Sequence, residues 1–236
     1  MSEMMLSIMN GAKTVMKAQA INANNLANAS TTGFKGEIAN FISFEDEDSL
    51  TTHTDLHTGS LRSTGRDLDV SVNGDGWIAI MTPEGTEGYS RRGDLRVDTF
   101  GQLTNGKGQA IMGNGGPIAL PPFASLEIGS DGTISIVPQG QNATSQAVVD
   151  RIKLVTLDER QLQRGDDGTL RLPDGQVAPA DAAVTVTAGT LENSNVNAVA
   201  EMIRMIDLSR QFETHVKLLQ NTSENASSLA SVLRMN

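Results

Sequence analysis

Residues 23–36 read ANNLANASTTGFKG. Asparagine is a poor helix former because its short amide competes for nearby backbone groups. Yet Asn22, Asn24, Asn25 and Asn28 sit inside what the surrounding pattern reads as a helix. Met1, Met5, Ile8, Ala12, Val15, Gln19, Asn22, Leu26 and Ala29 alternate spacings of four and three, and seven of the nine are apolar. That is a heptad-like stripe. Thr31, Thr32 and Gly33 end it abruptly. The break predicts a left-handed cap at Gly33, with Phe34 placed as in a Schellman motif to fold back toward Ala29.

The other terminus repeats the pattern. Met205, Leu208, Phe212, His215, Leu219, Thr222, Ala226, Leu229 and Leu233 carry a second stripe, again with seven apolar members of nine. Asn195 or Asn197 suits its N-cap, and Glu201 suits the positive first turn. A helix from about 197 to 234 spans roughly 55 Å at 1.5 Å per residue. Seven buried anchors contribute about 10–20 kcal/mol, less than the backbone entropy of some 28 ordered residues at about 1–2 kcal/mol each. One partner helix therefore looks insufficient. The expectation is that both ends stay loose in the monomer and order among neighbouring subunits. On this reading the asparagines serve contacts between subunits, and an amide on the seam restricts register.

Between the stripes the helix signals vanish. Asn73-Gly74, Asp75-Gly76, Asn105-Gly106, Asp131-Gly132, Asp167-Gly168 and Asp174-Gly175 mark tight turns. Short β-rich runs lie among them at Trp77–Ile80, Thr133–Ile136, Ile152–Val155 and Val184–Thr187. The expected fold class is α+β: N- and C-terminal helices packing as a coiled-coil-like pair, with an antiparallel β-rich middle domain. The boundaries drawn are 1–34 for the first helix, 35–67 for an irregular connector, 68–188 for the β domain and 189–236 for the last helix.

Composition narrows the function. A net charge of −10 with scattered basic residues argues against nucleic acid and anionic membrane. Zero cysteines exclude disulfides, thiolate metal sites and cysteine nucleophiles. No run of about 18 apolar residues offers a membrane span, and the N-terminus lacks the pattern of a cleaved leader. The acidic run Glu45–Asp48 reads as a solvated loop rather than a calcium loop. Gly101–Gly108, GQLTNGKG, matches seven positions of a phosphate loop but has Gly108 where magnesium needs a hydroxyl, so a hairpin turn is expected. His53, Asp55 and His57 lack a fourth metal ligand, and His215 reads as a packing residue. Two Arg-Gly-Asp triplets, at 92–94 and 164–166, fit turn chemistry, and Asn142-Ala143-Thr144 matters only where glycosylation occurs. Asp67 and Asp69 have no evident cleft. No catalytic, cofactor or metal residues are assigned.

The blocks NANNLANASTTGFKG, LDVSVNGDGWIAI, GYSRRGDLRVDTFGQLTNGKGQAIMG and GTLENSNVNAVAEMIRMIDLSRQFE span most of the chain. Together they resemble the axial proteins of the bacterial flagellum, and the rod and hook subgroup in particular. The chain's length, its opening IMNGAKTVMKAQAINANNLANAS, and the RIKLV and RGDDGTLRL blocks are more similar to proximal than to distal rod proteins. Many such relatives carry Pro where this chain has Thr32, and an Asn-Gly turn where it has Arg92-Gly93.

The resemblance implies a structural subunit without enzymatic activity or cofactor, exported through the flagellar type III apparatus without signal cleavage. It implies a periplasmic rod in which terminal helices of many copies, and of neighbouring rod proteins, pack around a channel. Interlocked helices resist twisting, so the mechanical expectation is that such a rod transmits torque. The assembly residues expected are Asn24, Asn25, Leu26, Asn28, Gly33, Phe34, Asn195, Met205, Leu208, Phe212 and Leu219. The rival readings are a distal rod protein, a secreted β-rich adhesin or carbohydrate-binding module, and a hydrolase using paired carboxylates.

Overall fold

The computed structural model describes residues 2–41, 50–141, 145–158, 162–165 and 167–234. The chain divides into two compact units, one comprising Met1–Ala29, Gly36–Asp55 and Val196–Asn236, the other Ser30–Lys35 and Leu56–Asn195.

The first unit holds both helices, α1 (Ser2–Ala27) and α2 (Ala198–Arg234), and a hairpin of β1 (Glu37–Phe41) and β2 (Leu50–Thr54) paired antiparallel. Helix α1 tightens as it ends. The Asn28 N–H is shared between the Asn24 and Asn25 carbonyls at 3.1 Å each, and the Ala29 N–H reaches Leu26 O at 3.3 Å. Helix α2 opens on Asn197, whose Oδ1 accepts from the N–H groups of Val199 (3.0 Å) and Ala200 (3.2 Å). That satisfies two of the donors that every helix start leaves over. Glu201 lies in the first turn, where the dipole favours a carboxylate.

Two expectations need correction here. Helix α1 stops at Ala27, six residues before Gly33, so no Schellman cap forms there. Gly33 instead serves a separate turn in which the Phe34 N–H reaches Thr31 O at 3.3 Å. Its φ is +64°, and a Cβ there would lie 2.4 Å from the Arg91 carbonyl carbon and oxygen. Glycine is required on both counts. The Phe34 ring lies under the Arg164 guanidinium, 4.7 Å from its centroid. The connector 35–67 is not wholly irregular either, because it contains β1, β2 and β3 (Leu61–Ser63). Thr51, Thr52, His53 and Thr54 offer no apolar face, yet β-branched residues suit a pleated strand. The acidic run Glu45–Asp48 lies outside the described residues.

The second unit is the β domain. Strands β5 (Gly76–Met81), β6 (Glu87–Ser90), β12 (Leu154–Thr156), β13 (Gln163–Arg164) and β14 (Leu170–Arg171) form an antiparallel sheet in the order β12-β5-β6-β14-β13. Strand β5 is buried on both faces, and its alternation sorts the core. Ile78 and Ile80 enter the larger cluster, with Val70, Leu103, Ile134 and Leu154. Trp77 and Ala79 enter the smaller one, with Tyr89, Val155 and Leu170. A second sheet, β11-β10-β9, is built from Ala147–Arg151, Thr133–Pro138 and Phe123–Ile128. Asp131-Gly132 turns its β9–β10 hairpin, with Gly132 at φ +85°. Gly106 follows an asparagine for a different reason: a Cβ there would sit 1.9 Å from Asp94 Oδ2.

Three stretches of the β unit converge on one buried carboxylate. Glu192, in β16 (Thr190–Glu192), is 0% exposed. It accepts from Lys35 Nζ at 2.7 Å, Arg91 NH1 at 3.3 Å and the Gly59 N–H at 2.9 Å. Its own carbonyl accepts from the Gly33 N–H at 2.7 Å. Lys35 Nζ also donates to His57 O at 2.6 Å. Arg91 stacks over Trp77 at 5.0 Å and donates to Gly74 O at 2.5 Å. Burial pushes the Arg91 guanidinium below its ordinary pKa, and Glu192 opposes that shift.

Removing Glu192 leaves two buried cations without their shared counter-charge. Glu192→Ala is expected to lower stability by about 3–5 kcal/mol. Urea unfolding followed by the fluorescence of Trp77, the chain's single tryptophan, reads this directly, and an unchanged midpoint would refute it.

Alkali probes the smaller core. Burial raises the Tyr89 phenol from 10.0 to about 12, and its oxygen accepts from the Ala178 N–H at 2.8 Å. Between pH 10 and 12 the unfolded chain loses this proton while the folded chain keeps it, so stability falls with rising pH in that window. Tyr89→Phe should flatten the slope of denaturation midpoint against pH there.

Candidate assembly interface

The helix pair runs antiparallel, as three cross-links show. Asn22 Nδ2 donates to Glu201 Oε2, Gln19 Nε2 meets Ser209 Oγ at 3.4 Å, and Gly11 faces His215. Val15, Ala18 and Leu208 form the buried centre, with Phe212 and Ala39 packed on it. Ala12 is buried as well. These small residues admit a close approach, and at Gly11 the approach is closest: a Cβ would come within 2.6 Å of His215 Cε1. His215 is thus a seam residue packed on a glycine, and its buried Nδ1 has no hydrogen-bond partner. The single chain therefore has both helices formed and paired, where the sequence suggested ends left loose until assembly. The additional partner is β1, against which α1 packs.

The eleven expected assembly residues fall in three places. Leu208 is buried in the seam, with Leu26, Met205, Phe212 and Leu219 half-buried. The asparagines divide. Asn25 is 3% exposed and clasps the backbone of Glu37 through both amide atoms, donating to its carbonyl at 2.8 Å and accepting from its N–H at 2.9 Å. That amide fixes the hairpin to α1, a role inside the chain that the sequence gave to neighbours. Asn28 Nδ2 donates to Asn24 O at 2.9 Å, and Asn24 is exposed. Gly33, Phe34 and Asn195 belong to the second unit. There the Asn195 N–H meets Phe34 O at 3.3 Å and its Nδ2 donates to His57 O at 3.2 Å.

A second apolar face emerges that the heptad reading passed over. On α2, Val199, Met202, Ile203 and Ile206 are 63, 48, 57 and 54% exposed. At 100° per residue they share about 100° of arc, on the side away from Leu208, Phe212 and Leu219. On α1, Leu6, Met9 and Met16 are 50–55% exposed, and Met5, at the edge of the first stripe, is 40% exposed. The signal was available as the i, i+3, i+4, i+7 spacing of 199, 202, 203 and 206. Each helix thus carries two apolar faces, of which the pair seals one.

The motifs suggestive of other chemistry dissolve into turns. Residues 103–108 are strand β8 (Leu103–Thr104) and a tight turn in which Asn105 Oδ1 accepts from the Lys107 and Gln109 N–H groups at 3.0 Å each. Arg92 and Asp94 of the first Arg-Gly-Asp triplet bond each other at 2.6 and 3.0 Å. Asp166 of the second and Asn142 lie outside the described residues. Asp69 is buried against Arg66, while Asp67 is exposed. Among the described residues no His, Asp or Glu group has the arrangement of a metal site, and no helix is long and apolar enough to cross a membrane.

Helical ends that flank a β-rich middle in the sequence, with apolar faces left open on the helices, suit the class of structural subunits. Comparison with known proteins agrees. Residues 5–35 match the family described as flagella basal body rod protein, 71–136 the flagellar hook protein FlgE/F/G D1 domain, and 187–232 the flagellar basal body rod FlgEFG protein C-terminal family. The chain is 40% identical to flagellar basal-body rod protein FlgF of Escherichia coli K12 over the full length of both, and 36% identical to FlgF of Salmonella typhimurium LT2, again over both full lengths. It is 28% identical to flagellar basal-body rod protein FlgG of Bacillus subtilis 168, over 95% of this chain and 96% of the relative. The chain belongs to the flagellar basal-body rod protein family.

Leu208 lies at the centre of the seam, so Leu208→Asp should separate the helices before any neighbour is involved. Circular dichroism of the dilute chain is expected to lose helical signal, while Trp77 emission, which reports the β unit, stays unchanged. Full helicity in the variant would show that the seam does not hold the pair.

Proposed function

We propose that this chain is a subunit of the proximal segment of the flagellar rod, joining copies of itself and neighbouring rod proteins through its terminal helices. The observation that supports this most is the double-faced helix pair: the face used for intrachain pairing is sealed, and the other offers exposed Val199, Met202, Ile203 and Ile206. Exposed apolar surface of this extent on a regular helix marks a contact surface. Head-to-tail contacts that do not close generate a helical array. Helices interlocked in this way resist twisting and transmit torque.

Asn24, exposed on α1, joins the open face in the proposed contact. The seam residues Leu26, Met205, Leu208, Phe212 and Leu219 shape the unit that makes it. Gly33, Phe34 and Asn195 hold the base of the β unit where the chain enters and leaves it. Export by the flagellar type III apparatus with the N-terminus retained, residence in the periplasmic part of the basal body, and the absence of catalysis and cofactor complete the proposal. The FlgF relatives of Escherichia coli K12 and Salmonella typhimurium LT2, at 40% and 36% identity, exceed the FlgG relative of Bacillus subtilis 168 at 28%, which favours a proximal over a distal place.

Charges on the open face should block assembly without disturbing the pair. The double substitution Ile203→Glu/Ile206→Glu is expected to keep the dilute chain's helical content and abolish swimming in soft agar. Basal bodies imaged from the same cells should stop short of a complete rod. Normal swimming would sink the proposal. A completed proximal segment in cells lacking this chain would favour the distal reading.

A further inference from the structure

We infer that the open faces of the two terminal helices are methionine-oxidation sites through which peroxide-class oxidants switch off assembly of the free subunit. The inference rests on the proposed rod function. Among the described residues, the strongly exposed methionines all lie on the terminal helices: Met5 at 40%, Met9 at 51%, Met16 at 55% and Met202 at 48%. Met5, Met9 and Met16 fall within about 40° of arc on α1. Met202 sits among Val199, Ile203 and Ile206 on the open face of α2. Met81 and Met112 of the β unit, and Met205 in the seam, are half-buried. With zero cysteines, no thiol competes for oxidant, and among the described residues these thioethers are the most accessible sulfur.

The reaction is a two-electron oxygen transfer. A sulfur lone pair attacks one oxygen of hydrogen peroxide, the O–O bond breaks and an S–O bond forms. The attacked oxygen's proton passes to the departing hydroxide, giving water. Sulfur is oxidised and the peroxide oxygen reduced. The sulfoxide is polar and chiral where the thioether was apolar and adaptable. Buried against a neighbour's apolar surface, its oxygen would have to give up hydrogen bonds to water. Exposed on a free subunit, it loses nothing. The modification therefore leaves the fold intact and penalises the docked state.

The test uses the full chain in three preparations: untreated, treated with hydrogen peroxide, and a Met5→Leu/Met9→Leu/Met16→Leu/Met202→Leu variant given the same treatment. Mass mapping should find these four methionines oxidised ahead of Met81, Met112 and Met205. Self-association of the concentrated chain by light scattering should fall about tenfold or more on treatment, with helical content unchanged, while the same treatment leaves the leucine variant's own level of association, whatever that level is, unmoved. Treated and untreated chains associating equally, or a variant that remains peroxide-sensitive, would overturn the inference and leave the rod function standing. An untreated chain that does not associate at all would remove the proposed function, and this inference with it.

Discussion

The carboxylate of Glu192 is the constraint on which the rest of the fold depends. The chain passes between its two units four times, after residues 29, 35, 55 and 195. On the β side, every stretch at these passages is tied to Glu192 or to a group it holds. Gly33 donates to its carbonyl, Lys35 and Gly59 to its side chain, and His57 accepts from both Lys35 and Asn195. Arg91 completes the set from the turn after β6. A carboxylate buried among two cations and a backbone N–H is a costly arrangement that stabilises only when every partner is present. Its value is directional: within the β unit it ties the stretches at 33–35, 57–59 and 91 to one point on β16, which a patch of leucines would leave free to slide.

The helix seam follows the same logic with weaker forces. Its apolar centre is small, with Val15, Ala18 and Leu208 buried, and small side chains specify register poorly. Polar and steric details supply the register. Gly11 makes room for the His215 ring, and Asn22 reaches Glu201. Two polar atoms of this seam, Asn22 Oδ1 and His215 Nδ1, are buried without partners, each a penalty of about 1–3 kcal/mol. A slipped register would bury different polar groups and meet Gly11 with a side chain in the way.

The legible parts of the sequence were those with local, repeating signals. The 4-3 spacing located both helices and the seam, Asn197 was visible as a cap, and Asp-Gly pairs such as 131–132 marked the β turns. The hairpin at 37–54 was missed because His53 and its neighbouring threonines show no apolar alternation. Gly33 was misassigned because helix α1 stops at Ala27, and nothing in the run NASTT announces how many residues intervene before the next turn. Asn25 was given to neighbours because an amide does not reveal whether its partner is another chain or the backbone of Glu37. The Glu192 cluster was invisible for a plainer reason: Lys35 and Glu192 stand 157 positions apart, and a single pairing at that distance leaves no pattern in the sequence.

The two faces of the helices explain how a chain can be built for assembly and still exist alone. Sealing one stripe gives each subunit a defined shape. The open α2 face offers four side chains already about half exposed, and covering them contributes roughly 1 kcal/mol each, about 4 kcal/mol in all. Associating two molecules costs an estimated 4–15 kcal/mol in lost freedom. One such contact is therefore too weak to hold a dimer in dilute solution, and free subunits associate only when concentrated. A site already lined by several neighbours covers the α1 and α2 faces together and adds contacts for a single loss of freedom. On the proposed function, growth from an existing end is then favoured over association in dilute solution, and the weakness of the single contact is what directs assembly to the rod.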